Sequence, residues 1–194
     1  MTQQRPGVLR GMLQLALWRG TGIHAFTGSK QAFLNSLAPL LAMPVVGFLL
    51  LAVQGKVLDA VSNLLLAVVI LLAPIAASHL VARWWRREGL WLRFVVALNW
   101  CQWVITAVAM LLVALTGMAV QAGVPQQIAL LGLALGCLGY AISLQVFLAH
   151  VSLALSRARA IGFVLLFNFA AALLVLLPAF ARVMVYGLAE TQTL

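Results

Sequence analysis

Five stretches of the chain are apolar around the whole circumference of a helix: residues 33–53, 60–82, 94–115, 128–149 and 161–181. Each holds the roughly 20 residues that, at about 1.5 Å rise, cross a hydrocarbon core about 30 Å thick. The pattern predicts an all-α, polytopic transmembrane bundle of five helices. Ahead of them, residues 8–18 are apolar on much of their circumference, with Arg10 and Gln14 one turn apart. That spacing predicts a short interfacial amphipathic helix with Trp18 at headgroup depth, ended by Gly20, Gly22 and Gly28. The organisation expected is a cytoplasmic N-terminal segment (1–32), a five-span domain (33–181) and a short periplasmic tail (182–194).

Polar and special residues interrupt the spans at few places. Pro39 and Pro44 free the carbonyls of Asn35 and Leu40, so the first helix is expected to kink or start late, with Pro39 in its first turn. The second span carries Pro74 and ends at His79, Arg83 and the cluster Trp84, Trp85, Arg86 and Arg87, an interfacial anchor of aromatic rings and basic heads. In the third, Asn99, Gln102 and Thr106 share one face. Gly132, Gly136 and Gly139 of the fourth allow close approach of another backbone, within the bundle or at a homodimer seam.

Charge then orients the chain. There are 12 Lys and Arg against 3 Asp and Glu, a net charge of +9. Alternation of spans puts ten of the basic residues on one side and leaves Lys56 and Arg182 on the other. The positive-inside bias makes the first side, and the N-terminus, cytoplasmic. The loops agree: 83–93 carries four Arg against one Glu, while 116–127 has no charge. Clustered at span ends, the charge does not describe a nucleic-acid surface. At 65% hydrophobic and 8% charged, with mean hydropathy +1.12, the chain is far from a soluble domain. Cys101 and Cys137 fall inside spans without metal-ligand spacing and read as small buried hydrophobes. The first long apolar run comes too late for a cleaved signal peptide, so none is expected.

The candidate chemistry gathers on the cytoplasmic side. His79, Asn99, Gln102, Gln145 and Asn168 all map within roughly 15 Å of the inner boundary at 1.5 Å per residue. This layer has two readings. It is either interhelical hydrogen bonding, or a cavity open to the cytoplasm that takes a lipid headgroup, a small ligand or a partner segment. With no Asp, Glu, Lys or Arg inside a span, a proton pump or voltage sensor has no charge carrier. His79 and His150 end neighbouring return helices and could ligate a b-type haem, with Arg83 near the propionates. No metalloprotease, serine-hydrolase, P-loop or dinucleotide motif occurs, and carboxylates are not paired. The reading is a protein with no enzymatic chemistry and no resident cofactor or metal. It is an accessory or scaffold subunit acting on lipids and on a membrane-protein partner or further copies of itself. The alternatives are a small transporter or channel and a haem-bearing electron-transfer anchor.

Two short stretches carry a resemblance. Phe26-Thr-Gly-Ser29-Lys-Gln-Ala-Phe33-Leu-Asn-Ser36 precedes the first span, and Ala97-Leu-Asn99-Trp100-Cys-Gln102 lies on the third. With the five short-looped spans, they resemble the Yip1-like membrane proteins, most closely a group of small alphaproteobacterial integral membrane proteins. The resemblance implies a five-helix layout in a bacterial inner membrane. Eukaryotic members work in vesicle traffic and contact small GTPases. This chain lacks their acidic cytoplasmic tract and their Asp-Leu-Tyr-Gly-Pro-like motif, so that role is not implied.

Single-cysteine variants at Gln121 and Gln192 should be labelled from the outer side of intact cells and protected in inside-out vesicles. Labelling of either from the cytoplasmic side overturns the topology.

Overall fold

The polar ends of the predicted spans do not stop the helices. In the computed structural model the order is α1 (Val8–Ala16), a 3-10 turn (Gly20–Ala25), α2 (Lys30–Val53), α3 (Val57–Trp84), α4 (Glu88–Gln121), α5 (Gln126–Ser152) and α6 (Arg157–Thr191). The structure describes the backbone of residues 7–191 and the side chains of 7–176. Expectations placed on residues 1–6, on the side chain of Arg182 and on residues 192–194 lie outside these. Among the described residues there is no strand. Helices α2 to α6 are each long and apolar enough to cross a membrane, and α1 is the short N-terminal helix expected. Each long helix contains its predicted span and overruns it. Charged residues end an apolar run but are good helix formers, so the backbone ladder continues until a cap stops it. At 34 residues, α4 is about 51 Å long and must project beyond the hydrocarbon.

The C-terminal caps of α1, α2 and α4 share one design. After α2, Gly55 takes φ 77° while its N–H bonds Ala52 O at 3.0 Å and that of Lys56 bonds Leu51 O at 3.1 Å. After α4, Gly123 at φ 95° repeats the pattern with Val120 and Ala119. This paired closure satisfies the last carbonyls of a helix and favours glycine at the left-handed position. At the end of α1 the same bonds form around Trp18 at φ 54°, with Trp18 N–H on Leu15 O and Arg19 N–H on Gln14 O. A tryptophan there costs about 1 kcal/mol or more relative to glycine. Helix α2 starts at Lys30 because Ser29 Oγ accepts the Ala32 N–H at 3.1 Å. Pro39 therefore lies in the third turn of a helix that runs through both prolines, not in the first turn of a late one.

Two compact units emerge. The first comprises Met1–Ser36 and Arg87–Val164, the second Leu37–Arg86 and Leu165–Leu194. In the second, α3 buries Ala73, Ile75, Ala77, Ser78, Val81 and Ala82, most of them small. In the first, α4 and α5 form an antiparallel hairpin in which Gly136 abuts Leu112; a Cβ on that glycine would sit 3.3 Å from Leu112 Cδ1. Gly132 and Gly139 face open space. The N-terminal third of α4 is the hub of this unit. Phe94 to Asn99 and Cys101 are all buried, Phe94 meets Phe163 edge-on at 5.4 Å, and Trp91 tilts against Phe33 at 6.1 Å.

The N-terminal segment is part of this unit. Helix α1 docks on α4 and α5, and the 3-10 turn folds back onto α1. Gly11 and Gly22 make that fold-back possible. A Cβ on Gly22 would lie 2.6 Å from Gly11 O, and one on Gly11 would lie 2.5 Å from Ala25 Cβ. Gly22→Val should therefore cost about 1–3 kcal/mol in a detergent or urea unfolding titration, as overpacking does. Gly132→Ala, into open space, should stay within about 0.5 kcal/mol. Equal effects would refute the close-packed hairpin.

Candidate functional site

Asn99 is the one amide of the expected polar layer that unit one buries outright. Twelfth in α4, it sits in the belt where that helix is covered on every side. Its Nδ2 donates to Ser36 Oγ at 3.0 Å, and Ser36 Oγ donates in turn to Phe33 O at 2.7 Å. The chain of bonds ties the first turns of α2 to α4. Proline supplies no part of it: the bonded carbonyl belongs to Phe33, not to Asn35, whose side chain accepts from Gln31 Nε2 at 3.1 Å. Both residues of the Asn99–Ser36 pair come from the two short stretches 26–36 and 97–102 noted in the sequence.

The side-chain bond of Asn99 runs to Ser36 and not to another amide of the layer. Gln102 is exposed, although it was expected to face the interior. Three residues turn a helix by about 300°, so Gln102 stands about 60° off the Asn99 direction, past the edge of the α2 contact. Thr106 is exposed beside it and donates Oγ1 to Gln102 O at 3.0 Å. Gln145 is half-buried in α5 of the same unit. His79 and Asn168, both half-buried, belong to the second unit. Three of the five residues thus share a unit, and Asn99 bonds a serine that the layer did not include.

The histidine at the end of α5 has a structural task. His150 Nδ1 donates to Leu155 O, folding the chain back around Ala154 at φ 52° so that α6 can start. Among the described residues no group of three or more His, Cys, Asp or Glu could hold a metal ion. In the anchor cluster, Trp84 is 72% exposed at the last position of α3, Arg86 is exposed at φ 55°, and Trp85 and Arg87 are half-buried.

A second set of contacts was not expected from the sequence. The left-handed turn at Trp18 aims its ring edge-on at Tyr140, with centroids 5.6 Å apart, and Tyr140 Oη reaches Ala16 O at 3.4 Å. Gly20 lies against Val151, and Gly28 comes so close to Arg93 that a Cβ would sit 3.3 Å from its backbone N. Tyr140 is twelve residues, or about 18 Å, before the end of α5. Trp91, by contrast, is in the first turn of α4. The N-terminal segment thus runs along the helices as well as across their ends. Nothing in the pattern of either segment pairs Trp18 with Tyr140. No family model matches the chain, nor does any curated protein or solved structure.

Asn99→Leu should destabilise the folded protein by about 1 kcal/mol, the usual worth of an interhelical hydrogen bond in a membrane bundle. Gln102→Leu should leave stability unchanged or raise it, because it removes an amide from an outward face. Steric-trap or detergent unfolding of the two variants checks this, and a larger loss for Gln102→Leu would reverse the assignment of interior and exterior faces.

Proposed function

We propose that this is a non-enzymatic, multi-pass protein of the bacterial inner membrane, an accessory or scaffold subunit acting through lipid and protein contacts, with its N-terminus in the cytoplasm. One observation carries the protein contact: Gln102 is an exposed amide on the apolar part of α4. It stands nine residues past Arg93, about 14 Å along the axis. In hydrocarbon, an outward amide strands donors and acceptors at a cost of several kcal/mol, and a neighbouring helix that bonds it removes that cost. Asn99 supports the same reading from the other direction. Its side chain bonds Ser36 and ties α2 to α4, which favours helix-to-helix bonding over a ligand-lined cavity. The five-span layout and the two short stretches agree with the Yip1-like resemblance, whose GTPase-linked role is no part of the proposal.

The test is a native pull-down of the full chain from mild detergent, with visible absorption recorded on the eluate. A stoichiometric membrane-protein partner, or a second copy, is expected with the wild type and absent with Gln102→Leu at unchanged helix content. Partner-free elution, or a haem absorption band, overturns the reading.

A further inference from the structure

Two helices reached by unit one begin on basic residues, where a helix is least able to accommodate them. Lys30 opens α2 and Arg157 opens α6, with Arg159 two residues on, and neither helix has an acid in its first turn. A helix start carries about half a positive charge and favours Asp or Glu, so these cations face a like charge from their own backbone. Arg10, Arg19 and Arg93 join them in the same unit, and all six are exposed. The unit has a single acid, Glu88. Local rules broken in one direction at several places point to an anion outside the chain.

An apolar track runs beside these charges. On α1, Gly11, Met12 and Leu15 are buried. Leu9, Leu13 and Leu17, spaced four apart, are 73%, 65% and 64% exposed. At about 100° per residue, Arg10 falls within about 20° of Leu17, so the basic edge borders the leucine stripe. The Gly20–Val151 contact sets Arg19 at the end of α5, from which the chain turns through Leu155 into Arg157. A stripe about 12 Å long flanked by cations is shaped for an acyl chain below and a phosphate above.

We propose that unit one holds an anionic phospholipid here, with an acyl chain along Leu9, Leu13 and Leu17 and the headgroup phosphate on Arg10, Arg19, Arg157 and Arg159. The inference uses the membrane setting of the proposed function but needs no protein partner. Charge complementarity selects the occupant: a zwitterionic lipid offers the same tails and a phosphate, but its ammonium cancels the phosphate charge, whereas an anionic headgroup leaves a net negative charge for the cations.

Spin-labelled lipids report it directly. The full chain, reconstituted in phosphatidylcholine vesicles, should immobilise labelled phosphatidylglycerol at least about threefold more strongly than labelled phosphatidylcholine, given the attraction of basic residues near a membrane surface for anionic lipid. Replacing Arg10, Arg19, Arg157 and Arg159 together with Gln should bring the two lipids to parity, while Lys56→Gln should leave the preference intact. Should the fourfold variant misfold, raised salt on the wild type must weaken the preference; a salt-independent preference overturns the proposal. Equal immobilisation by the wild type overturns it, as does a preference surviving the fourfold change. Displacement by inorganic phosphate overturns the lipid assignment in favour of a simple anion site. A failed pull-down with lipid preference intact would sink the scaffold reading alone.

Discussion

Inside a bilayer no water reaches the peptide groups, so each N–H and C=O of an apolar span must be satisfied within its own helix or by a protein neighbour. The five long helices meet that constraint, and the remaining structure is arranged around the places where a helix must end or a side chain brings polarity into the interior. Gly55 and Gly123 close helices by turning the last carbonyls back on two amides. Ser36 passes the Asn99 amide on to a carbonyl of its own helix, so a single serine satisfies a buried partner and a backbone acceptor at once.

Because lipid tails are as apolar as leucine, burying leucine does not by itself draw helices together in a membrane. Association depends on close approach and on the few polar bonds available. Unit one uses both. Gly136 admits Leu112 between α4 and α5, and the paired glycines Gly11 and Gly22 admit backbone against backbone in the N-terminal hairpin. The aromatic contacts Phe94–Phe163 and Phe33–Trp91 then fasten the first turns of α6 and α2, which belong to this unit, onto α4, each worth about 0.5–1.5 kcal/mol beyond its buried area. Within unit one, α4 is the hub because Phe94 to Asn99 and Cys101 are buried on every side of it.

The N-terminal segment shows how a local cost serves a tertiary contact. Left-handed backbone at Trp18 is unfavourable, and glycine would relieve it. The same turn delivers the indole to Tyr140 and the Ala16 carbonyl to the tyrosine hydroxyl. It also leaves Leu9, Leu13 and Leu17 exposed, with Arg10 at the edge of their stripe. Docking on one face and exposure on the other make α1 a bridge between the bundle and its surroundings.

Read alone, the sequence determined the class and the count of helices, because an uninterrupted apolar run of membrane length has few other physical solutions. It also placed α1 and the polarity of Asn99 on the correct elements. Two matters were decided only by tertiary structure, and a third by a local cap that the hydrophobic pattern does not report. Gln102 and Asn99 share a helix face by spacing, yet one is exposed and the other buried, since the width of the α2 contact is a property of two helices and of neither alone. The start of α2 was set by the Ser29 cap and not by where hydrophobicity begins. Tyr140 and Trp18 are separated by more than a hundred residues and carry no pairing signal; they meet because glycine contacts fold the N-terminal hairpin onto α4 and α5. Periodicity reports what one helix needs buried, while the partner that buries it depends on shapes that form only when the helices pack.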